Sequence, residues 1–260
     1  MKKLSIVTVC YNSADCIEKT IQSVIAQKHA NTEYIIIDGD SKDNTMDIIR
    51  RYDNSIDIIV SEKDAGIYDA MNKSMDLATG DYVLFLNADD VFADLNVLED
   101  ISTTVEKSNA DVFYGDVIIH YKYGEFLKKP LPLELITRKM VFSHQAVFIK
   151  RTVLLDNKFD LNYRYAADYN QLSSLYLKKY NFEYINRVIA KVPVDSGATY
   201  HNFRESLNEH YLILEKRGEK AGLQKEKAII LVTIVHFLKS VIPNCLLHPI
   251  LKWLSKYKTL

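Results

Sequence analysis

A chain of 260 residues corresponds to about 1.7 domains at roughly 150 residues each, so one large domain or a domain with an appendage is expected. Hydrophobic residues make up 48% and charged residues 26%, a globular balance that excludes a disordered, collagenous or low-complexity chain. Thirty-three basic residues against 34 acidic ones leave a net charge of -1, without the overall basic excess of many duplex-binding proteins, and no nucleic-acid partner is expected.

In chain order, Leu4 to Cys10 reads as a buried first strand, because Tyr11-Asn12-Ser13 interrupts the apolar run too early for an export signal. Ser13 can cap a helix with Ile17, Ile21, Val24 and Ile25 on one face. Glu33 to Asp38 is the second strand, Ser41 or Asp43 opens a helix through Met46, Ile49 and Arg50, and Ile56 to Ser61 is the third strand. A helix from Gly66 to about Thr79 directs positions 67, 71, 74 or 75 and 78 inward, and Asp81 to Leu86 is a fourth strand ending at Asn87-Ala88-Asp89-Asp90. This alternation predicts a mostly parallel central sheet flanked by helices, an α/β nucleotide-type architecture.

Past residue 95 the pattern loosens. Asp111 to Tyr114, Val117 to Tyr123 and Gln145 to Ile149 read as strands, Lys129 to Pro132 as a loop, and 165 to 180 and 203 to 217 as helices. From Lys227 to Leu260 there are five lysines and no acid, with two apolar stretches interrupted by Pro243 and Pro249. Such a tail suits either an anionic membrane surface or a helix pair packed on the main domain. The expected division is therefore 1–222 as the main domain, with halves 1–95 and 96–222, and 223–260 as the tail. Cys10, Cys16 and Cys245 form no CxxC pair, consistent with a reducing cytoplasmic home.

In an open parallel sheet, ligands bind beyond the carboxyl ends of the strands, where this chain has four polar clusters: Tyr11-Asn12, Asp38-Gly39-Asp40-Ser41, Glu62-Lys63-Asp64 and Asn87-Ala88-Asp89-Asp90. No GxGxxG follows the first strand and no Walker motif occurs. The neighbouring carboxylates Asp89 and Asp90 repel unless a cation sits beside them, and a hard ion that also bridges phosphates, Mg2+ or Mn2+, suits oxygen ligands. Read alone, an Asp-Asp pair is equally a helix cap or a solvated turn. Asp69, Asn72, Lys73 and Asp76 share one helix face, which suits either a diphosphate or solvent.

These segments, from Val7-Thr8-Val9-Cys10-Tyr11-Asn12 through Asp64-Ala65-Gly66-Ile67-Tyr68-Asp69-Ala70-Met71-Asn72-Lys73 to Phe85-Leu86-Asn87-Ala88-Asp89-Asp90, resemble family 2 glycosyltransferases with the GT-A fold, over roughly residues 3 to 200. The resemblance implies an inverting enzyme that transfers a sugar from a nucleotide diphosphate donor, commonly a UDP-sugar, to an acceptor hydroxyl. It implies that Thr8, Tyr11 and Asn12 line the nucleotide pocket, that Asp38 meets the base, and that Asp64 and Lys73 lie near ribose and diphosphate. Asn87-Ala88-Asp89 takes the place of the DxD element, with Asp90 directly behind it. Asn87 replaces the first acid, and either Asp89 or Asp90 can be the direct ligand of Mn2+ or Mg2+. Ser143-His144-Gln145 resembles the segment bordering the acceptor, and Asp168 falls where the general base belongs, preceded by Ala167 rather than an acid.

His201 follows Ser196-Gly197-Ala198-Thr199-Tyr200, a stretch suited to closing over the donor. The resemblance and the basic tail together imply a lipid-linked or oligosaccharide acceptor, surface-polysaccharide biosynthesis of the O-antigen kind, and peripheral contact with the inner face of the cytoplasmic membrane. Two other readings stay open: a nucleotidyltransferase, which should carry a glycine-rich basic loop where Tyr11-Asn12-Ser13 stands, and a non-catalytic nucleotide-sugar sensor.

Overall fold

A computed structural model describes residues 2–28, 31–121, 124–193 and 202–219, with Glu226 and Ile230. The remainder of the 223–260 tail, and the segment 196–201 with His201, lie outside the described residues.

The first half follows the expected plan. β1 (Leu4–Cys10) lies between β2 (Thr32–Asp38) and β4 (Tyr82–Phe85), parallel to both, and β3 (Ile58–Ser61) extends the parallel set beyond β2. Side chains alternate along β1: Leu4 and Ile6 enter one apolar core, Val7 and Val9 the other, on opposite faces of the sheet. α1 (Ile17–Ile25), α2 (Thr45–Arg50) and α4 (Val97–Lys107) cover the first face; α3 (Ile67–Leu77), α5 (Arg151–Asp156) and α6 (Ala167–Leu177) cover the second. Two polar residues inside β1 are satisfied across the sheet. Ser5 donates to Glu33 (2.6 Å) and accepts from the Gly80 amide, and Thr8 donates to the Leu86 carbonyl (2.8 Å).

The second half is mixed. β8 (Val147–Lys150) runs antiparallel to β4, β6 (Val112–Tyr121) antiparallel to β8, and β9 (Phe182–Pro193) parallel to β6. β7 (Gly124–Lys128) pairs antiparallel with β6 and β5 (Val91–Phe92) antiparallel with β9, giving the order β3-β2-β1-β4-β8-β6-β9-β5 with β7 beside β6. One sheet thus runs through both expected halves. Among the described residues, no helix is long and apolar enough to cross a membrane.

Two expectations need correction. The two strands expected at 111–114 and 117–123 are one strand, β6, with an irregular register between Tyr114 and Val117. Gly115, between those two stretches, is a packing requirement, because a Cβ there would lie 2.8 Å from the Arg187 carbonyl and 2.6 Å from Ile189 Cδ1. In α3 the inward set is Tyr68, Ala70, Met71, Ser74 and Met75, while Ile67 is 38% exposed; Tyr68 turns in because its ring packs on Phe159 at 5.1 Å. On the opposite face the Asn72 carboxamide bonds both backbone groups of Phe159, Asp76 pairs with Lys158 at 2.8 Å, and Asp69 pairs with Lys73 at 3.7 Å and lines a cavity.

Candidate active site

The parallel strands bring their carboxyl ends to one edge, beside a cavity of about 490 Å³ lined by Tyr11, Gly39, Lys63, Asp64, Tyr68 and Arg164, among others. Tyr11 is 60% exposed and presents its ring to this space. Gly39 lets the Asp64 carboxylate approach the backbone closely, since a Cβ would come within 2.6 Å of it and displace that side chain. Asp64 in turn accepts from the Gly66 amide (2.9 Å), and Gly66 takes φ +124°, a left-handed conformation that starts α3 and favours glycine.

Several expected pocket residues shape the loops around the cavity. The fully buried Asp38 accepts from the Ser41 amide and hydroxyl (3.1 and 2.5 Å) and the Ser61 hydroxyl (2.7 Å). Asn12 accepts from the Lys42 amide (2.8 Å), which ties the first loop to the second. Thr8 lies in the core below. Lys73 pairs with Glu62 at 2.7 Å and Asp69 at 3.7 Å and donates to the Lys63 carbonyl; the Glu62 contact raises its pKa above the ordinary lysine range. Lys73 therefore braces the 62–69 turn. The cations on the cavity wall are Lys63 and Arg164.

At the end of β4, Asp89 takes φ +83°, and its amide donates to Thr20 Oγ1 (3.0 Å). Asp90 is only 5% exposed; burial pushes its carboxyl up to about 7, the Asp89 charge adds to the rise, and His144 and a hydrogen bond from Gln145 oppose it. Asn87 Nδ2 lies 3.3 Å from His144 Nε2, and its Oδ1 is buried with no hydrogen-bond partner. Among the described residues, no cluster of three or more His, Cys, Asp or Glu makes a metal cage. The donor set fits a hard divalent ion in another way, through one or two carboxylates and the unpaired Asn87 oxygen together with phosphate oxygens from a ligand.

His144, on a short helical turn (His144–Ala146) before β8, reaches the other way as well: its Nδ1 is 3.3 Å from Asp168 Oδ2. Asp168 sits in the first turn of α6, where its Oδ1 accepts from the Tyr68 hydroxyl (2.9 Å) and the Tyr169 amide (2.8 Å). Burial would raise its pKa, but the His144 hydrogen bond and charge, with those two donors, hold it below the usual carboxylate range. Burial likewise works against a charged imidazole, yet Asp168, with Asp90, raises the His144 pKa. The Asn87 amide N–H donates to Nε2 in the tautomer whose Nδ1–H is turned to Asp168, so the ring bridges the two side chains. Behind it lies a small cavity of about 20 Å³ with Phe85, Val147 and Phe159 in its lining, which keeps one side of the pair apolar.

The structure thus brings Asn87, Asp90, His144, Gln145 and Asp168 into one network, with Tyr11 and Asp64 on the adjoining cavity. It does not bring Thr8 or Lys73 to the cavity wall. Sequence reasoning missed Tyr68, whose ring lines the cavity and whose hydroxyl holds Asp168 100 residues away. It also missed Arg164, whereas Lys63 belongs to the polar cluster expected after β3. Tyr68 belongs to the motif already quoted, but nothing local marks it as a partner of Asp168.

The pattern of Glycosyl transferase family 2 matches residues 5–161. The chain belongs to that family, which places it among transferases. A PGL/p-HBAD biosynthesis glycosyltransferase of Mycobacterium bovis is 32% identical over 174 residues, covering 64% of this chain and 66% of the relative, so the chain spans just under two thirds of that protein's length. TuaG of Bacillus subtilis, a glycosyltransferase proposed to act in teichuronic acid biosynthesis, is 36% identical over 115 residues, 43% of this chain and 46% of TuaG. Among solved structures, mannosyltransferase PcManGT from Pyrobaculum calidifontis, in complex with GDP-Man and Mn2+, superposes with a TM-score of 0.65 at 18% identity, over 84% of this chain and 64% of that one. S. aureus TarS 1-349 in complex with UDP-GlcNAc gives 0.64 at 17% identity, over 81% and 66%. These structures share the GT-A fold with this family member, as the resemblance implied.

Proposed function

We propose that this chain is an inverting glycosyltransferase that moves a sugar from a nucleotide diphosphate donor, a UDP-sugar, to a hydroxyl of a lipid-linked or oligosaccharide acceptor in surface-polysaccharide biosynthesis. The observation that carries the reading is the bridge made by His144, 3.3 Å from Asp168 on one side and 3.3 Å from Asn87 on the other. A carboxylate held as an anion stands next to the strand end that carries the acidic pair.

In this reading the nucleoside occupies the cavity of Tyr11 and Asp64, with Asp38 holding its floor, and the diphosphate lies toward Asp89. Asp168 accepts the proton of the attacking hydroxyl. Its low pKa makes it a weak base toward an alcohol, so proton transfer comes late, after the bond to the leaving group has stretched. A single in-line attack inverts the anomeric carbon. Tyr68 and His144 orient Asp168, and the apolar lining behind it excludes water. Asp89, with Asn87 Oδ1, would hold Mn2+ or Mg2+, because Asp90 is turned inward to Gln145. A bound divalent ion would supply Lewis-acid stabilisation of charge developing on the leaving phosphate.

Support for the donor class comes from the UDP-GlcNAc and GDP-Man bound to the two structural neighbours, and for the pathway class from the names of the two relatives. We assign catalysis to residues 1–222 and peripheral membrane contact to the basic tail, 223–260. The test is a screen of nucleotide-sugar donors with and without Mn2+, reading release of the nucleoside diphosphate. Metal-stimulated release from a UDP-sugar in the presence of a hydroxyl acceptor is expected; binding without turnover of any donor would contradict the reading. Deleting residues 228–260 should release the protein from anionic vesicles, and unchanged co-sedimentation would remove the membrane assignment.

A further inference from the structure

The helix α7 (Phe203–Lys216) begins more than 40 residues past the end of the family match, yet it grips the segment that joins the cavity to Asp168. Its Glu209 accepts three consecutive backbone N–H groups: Arg164 to Oε1 at 2.8 Å, and Tyr165 and Ala166 to Oε2 at 2.7 and 2.9 Å. These amides precede the first turn of α6, where the opening N–H groups of a helix have no partner inside the helix. An anion there also matches the positive end of the helix dipole. Around this clamp, the His210 ring stacks on Tyr169 at 4.3 Å and Lys216 reaches the Tyr163 hydroxyl at 3.1 Å.

The consequence is geometric. Tyr163 and Arg164 line the large cavity, and Asp168 follows two residues after the last clamped amide. One carboxylate therefore fixes a wall of the donor cavity and the start of the helix that carries the base. We propose that Glu209 is a positioning residue for both, so that α7 is part of the working site and not packing appended to it. This rests on the glycosyl-transfer reading above. The two oxygens act on different segments, since Oε1 holds the Arg164 side and Oε2 holds the entry to α6.

That division makes two variants informative, both in the full chain. In Glu209→Gln the remaining carbonyl can replace Oε2, but the amide cannot accept from the Arg164 N–H. Donor KM should then rise by about threefold to tenfold, with kcat within about twofold. In Glu209→Ala both contacts are lost, and kcat should also fall by about tenfold or more, as a small misplacement of reacting groups entails. A structural role alone would lower melting temperature and active fraction in both variants and leave KM unchanged; that result overturns the proposal.

Amide hydrogen exchange supplies the second measurement. Exchange at 164–166 should accelerate in Glu209→Ala while amides of β1 to β4 keep wild-type protection. If the wild type turns over no donor, the transfer reading fails separately, and exchange still decides whether Glu209 holds this segment. Unaltered exchange at 164–166 overturns the inference.

Discussion

The two halves of the sheet use their polar residues differently. In the parallel half, Asp38, Asn12 and Lys73 are spent largely on one another's loops, and they hold a cavity open. In the mixed half, His144 and Asp168 are held by partners from distant segments, and the pair they form stands beside Asn87 at the end of β4. One edge builds a shape and the other supplies a reactive group. Substitutions in the two halves should therefore fail in different ways.

The largest effect belongs to the second half. Asp168→Asn should lower turnover by about 10²-fold or more while nucleoside diphosphate binding, read by calorimetry, stays within about twofold. A turnover near wild type would remove Asp168 from the chemistry. On the other edge, Asp89→Ala should abolish the gain in donor affinity given by Mn2+, a loss of at least about tenfold, whereas Asp90→Asn should keep most of it. Equal losses in both variants would undo the assignment of the ion to Asp89.

His144 is the residue that touches both halves. His144→Ala should lower kcat by about tenfold with little change in donor binding. It should also move the acidic limb of the pH-rate profile upward, since the imidazole is what depresses the Asp168 pKa and its removal lets that pKa rise. An acidic limb that stays in place would show that His144 does not act on Asp168.

The smallest effect on rate is expected at Glu33, deep in the parallel half. Ser5, the Thr79 amide and hydroxyl, and Lys3 all donate to its carboxylate; burial alone would raise its pKa, but these bonds bring it down to about 2. A folded pKa below the unfolded value contributes stability above about pH 4, which is lost as pH falls through 2. Glu33→Gln should therefore cost about 1–3 kcal/mol at pH 7, with turnover unchanged at permissive temperature, and the difference should narrow as pH falls toward 2. Denaturant melts at pH 7 and pH 3 read this directly.

The parallel half was legible from its sequence because its signals are local. β1, β2 and β4 are mostly apolar runs, each followed closely by its polar cluster, and a helix fills every interval. Where reading was harder, the missing information was long-range. Val91–Phe92 is too short to register as a strand until β9 pairs with it, and the stretches at 111–114 and 117–123 join into one strand through Gly115, where the Arg187 carbonyl leaves no room for a Cβ. The site divides in the same way. Asp64, Asn87 and Asp168 stand in recognisable patterns, but the Tyr68 hydroxyl bond to Asp168 spans 100 residues and the Glu209 bonds span 43 to 45. No local pattern encodes those distances.

The central claim is that both edges face a single donor, and a crystal structure with UDP and Mn2+ bound tests it most directly. The nucleoside should occupy the cavity between Tyr11 and Asp64, the ion should sit on Asp89 and the diphosphate, and the terminal phosphate should look across the His144 bridge toward Asp168. Nucleotide bound elsewhere, or an ion that touches neither aspartate at the end of β4, would contradict the account.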